Sequence, residues 1–79
     1  MSSGVSIGGT AEGAYITLLD TVSDTLSYVG KAAPQSATSA PVWQIKRIAT
    51  TGTVLSITYA SGSDSFNNVW DDRASLGYA

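Results

Sequence analysis

Val42-Trp43-Gln44-Ile45-Lys46-Arg47-Ile48-Ala49-Thr50-Thr51-Gly52-Thr53-Val54-Leu55-Ser56-Ile57-Thr58-Tyr59-Ala60 is the stretch that decides the fold. Its second half alternates: Leu55, Ile57 and Tyr59 fall on one face of an extended chain, with Val54, Ser56, Thr58 and Ala60 on the other. Thr51-Gly52 is a turn signal, because glycine supplies the positive φ a tight reversal demands. Together these features predict a hairpin of two strands, over residues 42–50 and 53–60. In it Leu55, Ile57 and Tyr59 are expected to oppose Trp43 and Ile45. Ile48 is one residue out of phase with Trp43 and Ile45, so keeping all three inward calls for a bulge around Lys46 and Arg47.

Upstream, Ala14-Tyr15-Ile16-Thr17-Leu18-Leu19 is rich in apolar and β-favouring residues and stops at Asp20. Ile16 and Leu18 share one face, and Tyr15 and Leu19 the other, which predicts a strand buried on both sides. Residues 21–24 suit a turn. Residues 25–32 form a second strand with Leu26 and Tyr28 in phase, and Gly30 marks either a bulge or a close backbone approach. Residues 33–41 hold both prolines and read as a loop.

Downstream, residues 61–65 read as a loop in which Asp64 or Ser65 can cap one helical turn over Phe66, Val69 and Trp70. Asp71-Asp72-Arg73 is expected to end that turn. Leu76 and Tyr78 then return to strand phase, predicting a short final strand. No segment carries a long helical period. The expectation is an all-β domain over residues 14–79, a small antiparallel sandwich or barrel of four to five short strands completed by neighbouring subunits. Residues 1–13 are Gly/Ser-rich, with Val5 and Ile7 the only sizeable apolar side chains beyond Met1. They read as a flexible tail or as an assembly arm that docks on a neighbour through Val5 and Ile7.

Composition bounds the function. A chain of 79 residues buries a small share of its surface, and with no cysteine it has no disulfide to reinforce it. Only 13% of its residues are charged, against about 25% in typical soluble domains, which suits a subunit better than a free monomer. Four basic residues on a chain of net charge −2 cannot build a phosphate-tracking stripe, so nucleic acid is not an expected partner. There is no apolar run near 18 residues and no basic start with an apolar core, so neither a membrane span nor a signal peptide is expected.

Candidate chemistry is sparse. Without histidine or cysteine, the usual zinc ligands and a Ser-His-Asp triad are excluded. Asp71 and Asp72 look like paired carboxylates, but adjacent residues in an extended segment point to opposite faces. One of them is expected instead to pair with Lys46, Arg47 or Arg73, the other being solvated or capping. The acidic run over residues 64–72 lacks the alternating oxygen ligands and terminal Glu of a calcium loop. Gly8-Gly9 lacks the Lys and helix of a phosphate loop. No catalytic residue, metal or cofactor is expected. Trp43, Ile45, Phe66, Trp70 and Tyr78 are expected to form one core or interface cluster, the alternative being a sugar-stacking platform built from Trp43, Trp70, Tyr28, Tyr59 and Tyr78.

The runs Tyr28-Val29-Gly30-Lys31-Ala32-Ala33-Pro34, Trp43-Gln44-Ile45-Lys46-Arg47-Ile48, Tyr59-Ala60-Ser61-Gly62 and Phe66-Asn67-Asn68-Val69-Trp70-Asp71-Asp72-Arg73-Ala74-Ser75-Leu76-Gly77-Tyr78 resemble a family of short virion-associated structural proteins of tailed bacteriophages. The resemblance spans roughly residues 15–78, and Trp70-Asp71-Asp72-Arg73-Ala74-Ser75-Leu76 is its most specific part. It implies a repeated subunit of a capsid decoration, collar, tail or fibre, made in the host bacterial cytoplasm and carried in the virion. It brings no catalytic residues. The expected partners are copies of the chain and other virion proteins. The alternative is an adhesin-like module stacking host surface glycans.

Overall fold

The computed structural model describes residues 14–79, so the expected arm with Val5 and Ile7 lies outside the described residues. Four strands, β1 (Ile16–Ser23), β2 (Leu26–Ala32), β3 (Gln44–Thr51) and β4 (Val54–Tyr59), are followed by a 3-10 helix, Trp70–Ser75. The strands form one antiparallel sheet in the order β1-β2-β3-β4, so each strand lies beside its sequence neighbours. This is the all-β class. The sheet is open: among the described residues it neither closes into a barrel nor faces a second sheet.

Local chemistry explains the turns. β3 and β4 pair up to Thr51 opposite Val54, leaving Gly52 and Thr53 as a two-residue loop with Gly52 at φ +62°. Glycine at the first loop position is what the II′ hairpin turn takes. β1 runs further than the sequence suggests, through residues 21–23, and reverses only at Asp24 and Thr25. A register shift between Thr21 and Ser23 absorbs the extra residue.

That two-residue loop also fixes which face of β4 meets which face of β3. Residues opposite each other sum to an odd number in this hairpin, so Leu55 and Ile57 meet Thr50 and Ile48. The expected opposition to Trp43 and Ile45 does not occur. The bulge at Lys46 and Arg47 that would have allowed it is absent, both β3 ladders running through that point without a shift. Paired residues share a face, so one face carries Ile16 and Leu18, Tyr28, Gly30 and Ala32, Ile45 and Arg47, then Thr58. The other carries Leu19, Val29, Lys46 and Tyr59 in one row, with Thr21, Ser27, Ile48 and Ile57 in the next.

The core lies on the first face. Tyr28, Ala32, Trp43, Ile45, Ala60 and Trp70 are buried, with Ile16, Leu18, Leu26, Leu76 and Tyr78 packed around them. The C-terminal segment forms its roof. Burial is therefore one-sided, contrary to the expectation for β1: Tyr15 and Leu19 are exposed while Ile16 and Leu18 pack inward. The expected fifth strand is reduced to an isolated bridge between Ala60 and Tyr78.

Candidate functional site

The segments around Trp43 and Trp70 meet at the covered end of the sheet. Trp43 N–H donates to Asn68 O (2.9 Å) and Asn68 N–H donates back to Trp43 O (3.0 Å), a two-way bridge between strand and roof. The Asn68 side-chain amide adds a third bond to Trp43 O, 3.2 Å, and Asn68 is itself buried. The loop at residues 33–42 closes the same end. Ala37 O accepts the Trp43 indole N–H at 2.9 Å, and Thr38 O accepts the Asp71 amide at 3.1 Å. A buried indole N–H without such a partner would cost about 1–3 kcal/mol.

Trp43 and Trp70 lie 5.9 Å apart, centroid to centroid, tilted by 40°. Trp70 reaches this position because β2 carries Gly30 beneath it: a Cβ built on Gly30 would lie 2.6 Å from Trp70 Cζ3 and 3.2 Å from Trp43 Cε3. Both ladders run through Gly30 without a shift, so the residue marks a close approach and not a bulge.

The 3-10 helix sorts the charged run. With three residues per turn, Trp70 and Arg73 share one side and Asp71 and Asp72 point away. Arg73 accordingly stacks its guanidinium 4.6 Å from the Trp70 ring and donates through Nε to Asp20 Oδ2 at 2.9 Å. Its Nη1 donates to Trp70 O, 3.1 Å. The expected pairing of Asp71 or Asp72 with a basic side chain does not occur. Both aspartates are exposed, and the one ion pair among the described residues is Arg73 with Asp20. Lys46 lies over Tyr59 at 5.7 Å and Arg47 over Tyr78 at 5.0 Å, so these two cations meet aromatic faces instead of carboxylates. Arg47 Nε is buried without a hydrogen-bond partner among the described residues.

Tyr78 completes the roof. Its hydroxyl donates to Arg73 O at 2.7 Å, and its ring lies 5.7 Å from Tyr28. Burial, with the neighbouring Tyr28 adding to it and Arg47 and Arg73 opposing, pushes the Tyr78 hydroxyl up to about 12 from the ordinary 10. Phe66 stands apart from the cluster in which it was expected. No helical turn forms over residues 66–70, and the Asn68 bridge holds this segment extended. Phe66 therefore stacks on Tyr15 (5.5 Å, 20°), with Lys31 5.1 Å from the other member of the pair.

The structural residues missing from the sequence reading are Asn68, Asp20 and Gln44. Gln44 is buried and donates its side-chain amide to Asp64 O at 2.8 Å. Only Gln44 carried a signal, as a polar residue between Trp43 and Ile45. Among the described residues there is no enclosed pocket and no convergence of three or more acidic, His or Cys side chains. No helix among them is long and apolar enough to cross a membrane.

The opposite end of the sheet has a different character. Val54 is 61% exposed, Leu55 58%, Ile57 55% and Val22 54%. Leu55 and Ile57 lie on the uncovered face, which Leu19 (65% exposed) shares further along in the Tyr59 row, whereas Val54 lies on the core face beyond the reach of the roof. What the fold defines is a four-stranded antiparallel meander, roofed at one end and bare at the other. Compared with protein-family models, curated proteins and solved structures, the chain has no match.

Proposed function

We propose that this chain is a structural subunit that works by assembling with copies of itself and with other proteins of a bacteriophage particle. The observation that carries the assembly reading is the bare end of the sheet. Four large aliphatic side chains are more than half exposed there, on a chain with few charges to keep it dispersed. Neighbouring copies docked at this end would cover side chains, or extend a sheet, that one chain leaves open. The bacteriophage particle is implied by the sequence resemblance over residues 15–78.

The glycan-stacking alternative draws no support from the tryptophans, because Trp43 is fully buried and Trp70 nearly so. Negative-stain electron microscopy and light scattering of the purified full chain test the proposal. The expected result is a ring, filament or other oligomer of defined size, and a monomer persisting to high micromolar concentration would contradict it. Mass spectrometry of purified phage particles tests the virion part separately, with recovery from the lysate alone as the contrary result.

A further inference from the structure

We infer that the outer edge of β4 pairs antiparallel with β4 of a second copy across a two-fold axis at Ser56, joining two four-stranded sheets into one. The inference rests on the assembly reading above and specifies its contact. Ala60 N–H donates to Ile45 O, so in an antiparallel ladder Ala60, Thr58 and Ser56 turn their backbone groups toward β3. Leu55, Ile57 and Tyr59 turn theirs outward. At the Tyr59 end this edge is already occupied: Tyr59 O accepts the Ala79 amide, 3.2 Å, and Ser61 N–H donates to Gly77 O, 2.7 Å. The N–H and C=O of Leu55 and Ile57 have no such partner among the described residues.

Such an edge is normally guarded by charge, proline or a bulge. β1, at the other side of the sheet, carries both Asp20 and the register shift between Thr21 and Ser23. β4 has none of these, and residues 48–63 hold no charge at all. This asymmetry selects the occupant. Head-to-tail pairing of β4 with β1 would meet the guarded edge, whereas at a two-fold axis β4 meets an identical strand, an arrangement that like charges would oppose and an uncharged strand allows. The register follows. Side chains keep to their own face, the partnered Tyr59 edge cannot pair again, and Thr53 belongs to the turn, so Leu55 and Ile57 are the residues left to pair. Leu55 therefore lies opposite Ile57 of the second copy, Ile57 opposite Leu55, and Ser56 opposite itself.

Val54, Leu55 and Ile57 together expose on the order of 300 Å² per copy, against about 800 Å² per partner in a stable interface. The pairing is accordingly a weak contact that fills at high micromolar concentration or inside a larger assembly. Because the chain has no cysteine, Ser56→Cys places a single thiol at the axis. Residues directly opposite are about 4.5–5.5 Å apart at Cα, within disulfide reach. Thr53→Cys, on the exposed hairpin tip, would sit about 20 Å from its copy.

The test is disulfide formation in the two full-length variants at high micromolar concentration, after fluorescence has shown each to be folded. Dimer formation at least about tenfold faster for Ser56→Cys than for Thr53→Cys is expected, since only the former meets the distance limit. Equal rates overturn the two-fold pairing. If the wild-type chain assembles while Ser56→Cys fails to cross-link above Thr53→Cys, the contact is wrong and the assembly reading survives; a chain monomeric throughout removes both. Strong hydrogen-exchange protection of the Leu55 and Ile57 amides in a monomer would assign the edge to another segment of the same chain, again overturning the pairing.

Discussion

Replacing Gly30 by alanine should unfold the roof from the sheet. Gly30 lies outside the left-handed region, so alanine meets no backbone strain there. In a strand the change would by itself gain up to about 1 kcal/mol. Against that gain stands the new Cβ, which would lie 2.6 Å from Trp70 Cζ3 and 3.2 Å from Trp43 Cε3. The indole rings are rigid, and Trp43 is fully buried with no room to retreat. Overpacking costs about 1–3 kcal/mol, and against two rigid rings the cost lies at the upper end, about 3 kcal/mol. The net expectation is a loss of about 2 kcal/mol, a large part of the stability of so small a domain.

Urea unfolding followed by tryptophan fluorescence measures this loss directly. A cycle with Trp70→Leu locates its cause. If the clash is with Trp70, Gly30→Ala should cost at least about 1 kcal/mol less in the Trp70→Leu background, as directly contacting residues couple on this scale. A Gly30→Ala protein as stable as wild type, with unchanged fluorescence, would refute the packing of Trp70 on β2.

Four further outcomes are expected. Trp43→Ala empties a fully buried site and removes the indole bond to Ala37 O, so a loss of about 3–5 kcal/mol should leave the chain largely unfolded by circular dichroism. Asp20→Asn removes one partner of a partly exposed ion pair, and its cost, under about 1 kcal/mol, should shrink further in high salt. Tyr78 favours its neutral form in the fold, so its contribution is complete below pH 10 and is lost as pH rises to about 12. After allowance for solvent screening the loss is about 1 kcal/mol, and urea titrations should show it in wild type and not in Tyr78→Phe. Leu55→Thr with Ile57→Thr should change stability by no more than about 0.5 kcal/mol for each exposed site, measured by urea unfolding.

The strands were legible because alternation and turn chemistry are local. The Gly52 reversal, the apolar run over residues 14–19 and the Leu26 and Tyr28 phase each placed a strand to within a few residues. The inward face of β4 was not legible, because alternation favours Leu55, Ile57 and Tyr59, whereas the Val54, Ser56, Thr58 and Ala60 face is the one turned to the core. The choice depends on whether the loop holds two residues or three and whether a bulge follows, and these shift every side chain together. The roof was read least well. Its residues suggested a helical turn and then a strand, but the bridge to Trp43 holds Asn68 extended and delays the helix to Trp70. That delay turns Arg73 toward Asp20, a partner 53 residues away that no local pattern announces.

Sedimentation velocity of the full-length chain over a rising concentration series tests the assembly claim most directly, with Leu55→Lys and Ile57→Lys together as the comparison. These side chains are exposed, so the double variant should stay folded. The wild type should associate into a defined species, while the double variant should sediment as a monomer of equal stability. A wild type that remains monomeric at high micromolar concentration, or a double variant that associates equally well, would contradict that claim.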